Sequence, residues 1–170
     1  MKIIFIDGYN VVNCWPNLKE LKNVSFDGAR DKLVGMLHNY GSYNNCKVIL
    51  VFDGYKVAGN LENKEEINKN LSIVFTKDGE TADAYIEKEV HNIGRKYEVC
   101  VVTSDWLEQQ TIFQRGAVRM SSLEFYNEVI NIQDKIRNKT EKNITSQKNP
   151  LGDNIKEDVL IKLEEMRRSR

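Results

Sequence analysis

Four short runs of β-branched and aromatic residues constrain the fold of this chain more than any other feature: Lys2–Ile6 (KIIFI), Lys47–Phe52 (KVILVF), Leu71–Thr76 (LSIVFT) and Val99–Thr103 (VCVVT). They are almost continuously apolar rather than alternating, the pattern of strands buried on both faces of a parallel sheet. A weaker run, Ala117–Met120, predicts a fifth strand at one edge. Segments of helical period lie between them. Ser25 is placed to cap a helix running to about Tyr40, with Phe26, Ala29, Leu33 and Leu37 on one face. Thr81 caps the next, carrying Ala82, Ile86, Val90 and Ile93. A third helix is predicted from about Trp106 to Gln114. Ser121 with Glu124 fits a capping box for a long helix to about Asn138, with Phe125, Val129, Ile132 and Ile136 inward. Lys139–Gly152 reads as a polar linker, and Asp153 or Asn154 opens a final helix with Ile155, Val159, Leu163 and Met166 inward. Strand–helix alternation with right-handed crossovers predicts an α/β fold. It is a three-layer sandwich, with a mostly parallel sheet of four or five strands flanked by helices and a helical C-terminal tail.

Composition narrows the function. The 170 residues carry 25 Lys+Arg and 25 Asp+Glu, so binding cannot rest on overall positive charge. The balance is uneven: after residue 130 there are ten basic against seven acidic residues. Three scattered cysteines, Cys14, Cys46 and Cys100, are too few for a disulfide framework or a zinc knuckle. No signal-peptide pattern opens the chain and no apolar run approaches the length of a membrane span, so a cytoplasmic protein without a membrane partner is expected. Phosphate-loop, dinucleotide, zinc-protease and serine-hydrolase motifs are absent.

All four confident strands end in acid. Asp7 follows the first, Asp53 the second and Asp105 the fourth; the third is followed by TKDGETAD, with Asp78, Glu80 and Asp83. One Asp after a strand is an ordinary turn or cap residue. In a parallel sheet, however, all four would meet at the carboxyl edge, where binding crevices lie. Two carboxylates about 5 Å apart repel by roughly 3 kcal/mol at an effective dielectric near 20. Such a cluster either takes up protons or holds a cation. Oxygen ligands without His or Cys favour Mg²⁺ or Mn²⁺. A cage of Asp7, Asp53, Asp83 and Asp105, with Glu80 as a fifth member or base, suits metal-assisted phosphoryl chemistry. Asn10, Thr103 and Ser104 add polar groups for an anion, as do the amides at the start of the Thr81 helix. His38 and His91 fall within helical segments away from these acids and read as ordinary helix residues. Tyr9 stands where an aspartyl-phosphate phosphatase would often carry a second Asp, which disfavours that chemistry.

The blocks IDGYNVVNCWP at 6–16, VILVFDGY at 48–55, VFTKDGETADAYIEK at 74–88 and VVTSDWLEQ at 101–109 resemble the NYN branch of the PIN-like nucleases, and within it the bacterial YacP-type family. That resemblance implies a PIN-like nuclease domain over residues 1–138, with a basic linker and C-terminal helix over 139–170. It implies a metal-dependent endoribonuclease with Asp7, Asn10, Asp53, Asp83 and Asp105 in the site and Glu80 from the ETAD block. It also implies mRNA as substrate and the ribosome as partner. A monomer is expected. Lys56, Lys64, Lys69 and Lys77, then Arg115 and Arg119, then Arg137, Lys139, Lys142 and Lys148, are the basic residues available to hold an RNA backbone. Ser104 offers a hydroxyl, and Tyr9, Trp15, Tyr55 and Trp106 are candidates to stack on unpaired bases, with Trp15 and Trp106 equally placed to be core and core favoured for Trp106. A catalytically silent RNA or ribosome adaptor and a small phosphatase are the rival readings.

Overall fold

The computed structural model describes residues 1–54, 63–104 and 117–147. The chain divides into two compact units, Met1–Gln133 and Asp134–Arg170. The first holds β1 (Lys2–Asp7), α1 (Gly8–Cys14), α2 (Pro16–Val24), α3 (Phe26–Asn44), β2 (Lys47–Phe52), β3 (Asn63–Asn68), β4 (Leu71–Phe75), α4 (Ala82–Ile93), β5 (Glu98–Val102), β6 (Val118–Met120) and the start of α5 (Ser122–Gln147).

The sheet has six strands in the order β3-β4-β2-β1-β5-β6. Every pairing is parallel except that of β3 with β4. The four apolar runs are its centre, buried from both sides. Alternate residues of each strand point to opposite faces. Ile3, Phe5, Val99 and Val101 meet Ala82, Tyr85, Ile86 and Val90 of α4 in one core layer. Ile4 and Ile6, on the other face, are equally buried. The layer over that face includes Trp15, Tyr40 and Phe125, with Phe125 5.0 Å from the Tyr40 ring and 5.9 Å from that of Trp15.

The caps fall where the sequence places them. Ser25 Oγ accepts the Gly28 N–H at 3.1 Å, and Thr81 Oγ1 accepts the Ala84 N–H at 3.2 Å. Ser121 and Glu124 form the reciprocal capping box: the Ser121 N–H donates to Glu124 Oε2 at 2.8 Å, and the Glu124 N–H donates to Ser121 Oγ at 3.2 Å.

Three features differ from the sequence expectation. The strand β3 (NKEEIN) has no apolar pattern because it is an exposed edge strand, held by backbone pairing to β4. Helices α1 and α2 are short, and Pro16 at the first turn of α2 reads equally well as a break. The segment from Lys139, expected as a linker, continues α5 through Gln147. Its Lys139, Glu141 and Lys142 are good helix formers, and neither Pro nor Gly interrupts it before Pro150. Thr140 there donates its hydroxyl to the Ile136 carbonyl at 2.9 Å. The expected Trp106–Gln114 helix and the final helix lie outside the described residues.

Two glycines close the carboxyl end of the sheet. A Cβ on Gly8 would collide with the buried Phe52 ring. A Cβ on Gly54 would collide with the Thr76 carbonyl oxygen, a backbone atom that cannot step aside alone. The Gly54 N–H also donates to Thr76 Oγ1 at 2.9 Å, while the Thr76 hydroxyl donates to the Glu80 carbonyl at 2.5 Å. This latch fixes the ends of β2 and β4 against each other. Gly54→Ala is therefore expected to destabilise the fold by about 2–3 kcal/mol, the cost of overpacking a closed site. A denaturant midpoint that matches the parent's would contradict the close approach.

Candidate active site

Parallel register carries the expected acids to one end of the sheet. Asp7 is the last residue of β1 and pairs with Val51; Asp53 directly follows Phe52, which pairs with Phe75. Each carboxylate is also held by a helix. Asp7 is the N-cap of α1, and its Oδ1 accepts the Asn10 N–H at 3.0 Å. Asp53 Oδ1 accepts the Ala82 N–H at the start of α4. The anion that meets those amides is thus the protein's own Asp53, not an external one. Asp83 lies in the first turn of α4 and is half-buried.

Asp7, Asp53 and Asp83 are electrostatically coupled. Burial pushes the Asp7 carboxyl up to about 6, and the negative charges of Asp83 and then Asp53 push the same way; the Asn10 and Tyr9 backbone N–H groups only partly offset this. Glu80 is largely buried, with Oε1 3.5 Å from Lys88 Nζ and Oε2 without a partner among the described residues. Asp105 lies outside the described residues.

The donor chemistry is all oxygen and acidic, which fits Mg²⁺ or Mn²⁺. Among the described residues no three His, Cys, Asp or Glu side chains form a closed metal site. Mg²⁺ does not need one, since it keeps several waters and takes one or two carboxylates beside a substrate phosphate. Asp7, Asp53 and Asp83 are the described aspartates at this end, with Asp7 Oδ1 and Asp53 Oδ1 each already on a backbone N–H.

Asn10 stands at the same end. Its Oδ1 accepts the Ser104 N–H at 3.2 Å and the Ser122 hydroxyl at 2.6 Å, with Cys14 Sγ at 3.8 Å. Sequence reasoning missed Ser122 because it sits inside the capping-box segment and has no motif of its own. It also missed Thr76, whose role is visible only once β2 and β4 are adjacent.

The expected RNA contacts scatter more widely. Ser104, Lys77 and Arg119 are exposed, and Arg119 lies on β6. The Tyr9 ring packs against Phe26 at 5.3 Å and Phe52 at 5.4 Å, so much of its surface is used internally. Trp15 is fully buried and its indole N–H donates to the Ser122 carbonyl at 2.8 Å, which makes it core rather than a stacking platform. Lys69 was expected to border the crevice; it lies instead in the turn between Asn68 and Asn70, at the opposite end of the sheet, because β3 runs antiparallel. Arg137 belongs to the second unit, where it pairs with Asp134 at 3.1 Å. Lys56, Tyr55, Trp106, Arg115 and Lys148 lie outside the described residues.

The Asp7 shift has a stability consequence. Its carboxyl is near 3.8 when unfolded and about 6 when folded. Below the first value both states are protonated and nothing is lost; as pH rises to the second, the folded state must ionise at a cost, so stability falls across that window. In EDTA, Asp7→Asn keeps the cap and removes the charge, and is expected to add about 2 kcal/mol at neutral pH, roughly 5 °C in Tm. The gain should vanish below about pH 4. Thermal unfolding across that pH range checks this, and a gain that does not depend on pH would refute it.

Comparison with known proteins agrees with this fold. Residues 4–168 match the YacP-like NYN domain family. The chain is 43% identical over 172 residues to YacP of Bacillus subtilis (strain 168), covering 99% of this chain and 98% of that protein. It is similar to the crystal structure of Rae1 (YacP) from Bacillus subtilis, with a TM-score of 0.74 at 40% identity over 99% of this chain and 95% of that one. The crystal structure of a tryptophan-to-leucine mutant of that same protein gives a TM-score of 0.72 at 40% identity over 86% and 85% of the two chains. A sheet whose strand ends gather Asp7, Asp53 and Asp83, together with this match over nearly its whole length, places the chain in the YacP-like NYN domain family.

Proposed function

We propose that the protein is a divalent-metal-dependent endoribonuclease that hydrolyses phosphodiester bonds of mRNA in association with the ribosome. The observation that carries this reading is that β1, β2 and the start of α4 bring Asp7, Asp53 and Asp83 to one sheet end, where burial and the neighbouring negative charges disfavour ionised Asp7. Family membership supports the nuclease chemistry, and the resemblance noted from the sequence supports the ribosome as the place of action. Buried like charges are costly unless a cation is present. A bound Mg²⁺ or Mn²⁺ would polarise a phosphate oxygen and lower the pKa of a bound water.

The chain's own residues have separate tasks in this scheme. Asp7 and Asp83 supply carboxylate oxygens. Asp53 holds the start of α4, and so Asp83, against the end of β2 through the Ala82 N–H. Glu80, with one oxygen near Lys88 and the other unpartnered among the described residues, is the candidate to accept a proton from attacking water. Exposed Lys77, Ser104 and Arg119 are available to the RNA backbone. The chain's zero net charge requires that such contacts be local.

Cleavage of a single-stranded RNA is expected with Mg²⁺ or Mn²⁺, to stop in EDTA, and to return on readdition of metal. Asp7→Asn and Asp83→Asn are each expected to lower the rate by at least about 100-fold while both proteins stay folded. Undiminished cleavage in EDTA, or by either variant, would overturn the reading. Turnover of a phosphomonoester without RNA cleavage would favour a phosphatase. Ribosome co-sedimentation with no cleavage of free or ribosome-bound RNA would favour an adaptor.

A further inference from the structure

The hydrogen bonds around Asn10 fix which end of its carboxamide is free. The Ser104 backbone N–H is an obligate donor, so the atom 3.2 Å from it is the amide oxygen. The Ser122 hydroxyl lies 2.6 Å from that oxygen and must donate to it. An amide oxygen has two lone pairs, and both are taken. Asn10 therefore has no acceptor left for a metal ion. Its Nδ2 has no hydrogen-bond partner among the described residues, and it is not among the buried polar atoms. What Asn10 can still offer is a pair of N–H donors, at the strand end where Asp7 stands and with its own backbone N–H already on Asp7.

Ser122 is itself held from three sides. It is fully buried, its carbonyl accepts the Trp15 indole N–H at 2.8 Å, and its N–H lies 3.4 Å from Ser104 Oγ. These contacts fix its backbone, and from there its buried hydroxyl meets the Asn10 carboxamide.

We propose that Ser122 is a positioning residue that, with the Ser104 backbone, locks the Asn10 carboxamide so that its NH₂ group donates to a non-bridging oxygen of the substrate phosphate. This rests on the nuclease reading and sharpens it: Asn10 recognises the phosphate and does not ligate metal. A preorganised donor of this kind acts on the charge that develops at phosphorus-bound oxygens.

A double-mutant cycle tests the coupling, using RNA cleavage by Ser122→Ala, Asn10→Ala and the double variant. Ser122→Ala is expected to lower kcat about tenfold with KM within about twofold, and to add nothing further in the Asn10→Ala background. An equal loss in both backgrounds would mean that Ser122 acts structurally and would overturn the proposal. A second arm needs no activity: the side-chain amide signal of Asn10, followed by NMR in Mg²⁺-loaded protein titrated with inorganic phosphate. It is expected to shift in the parent and to be displaced and unresponsive in Ser122→Ala. An Asn10 amide that ignores phosphate in the parent, or that is unchanged by Ser122→Ala, would overturn the proposal. If the parent cleaves no RNA, the nuclease reading fails, and the NMR arm still decides what Ser122 does to Asn10.

Discussion

Asp53 accepting the Ala82 N–H joins the end of β2 to the start of α4, and the geometry of the acidic edge depends on that bond. It places Asp83, one residue further along, in the first turn of a helix whose position is set by a neighbouring strand rather than by its own loop. The Thr76 hydroxyl reinforces it by bridging the Gly54 N–H and the Glu80 carbonyl. Parallel pairing of β1 with β2 then brings Asp7 to the same end. Carboxylates distant in sequence become neighbours, and burial raises the cost of charging Asp7.

That cost is the physical link between fold and function. A group held against its preferred protonation state is stabilised by whatever neutralises it. Protons do so in acid, and a divalent cation does so at neutral pH. The fold tolerates the tension because the sheet behind it is buried on both faces, with Trp15, Phe5, Phe52 and Phe125 fully enclosed. The chain's zero net charge is consistent with a site that concentrates negative charge locally, leaving its basic residues spread over exposed positions such as Lys77 and Arg119.

Much of this was readable in the sequence. Continuous apolar runs marked the central strands because burial on both faces leaves no room for alternation. The Ser25, Thr81 and Ser121 caps were readable because capping chemistry is local. An acid after each run pointed to the edge of the sheet. What could not be read depends on partners distant along the chain. The strand β3 exists only through its pairing with β4, and that pairing carries Lys69 to the opposite end of the sheet from Asp53. The Ser122 hydroxyl reaches Asn10, 112 positions away. Asp53 turned out to cap a helix from another element, a role no turn propensity reveals.

The most direct measurement of the central claim is anomalous diffraction from crystals of the protein soaked in Mn²⁺. The account predicts a peak within coordination distance, about 2.0–2.3 Å, of carboxylate oxygens of both Asp7 and Asp83. Manganese bound only elsewhere, or no ordered peak at this end of the sheet at saturating metal, would contradict it.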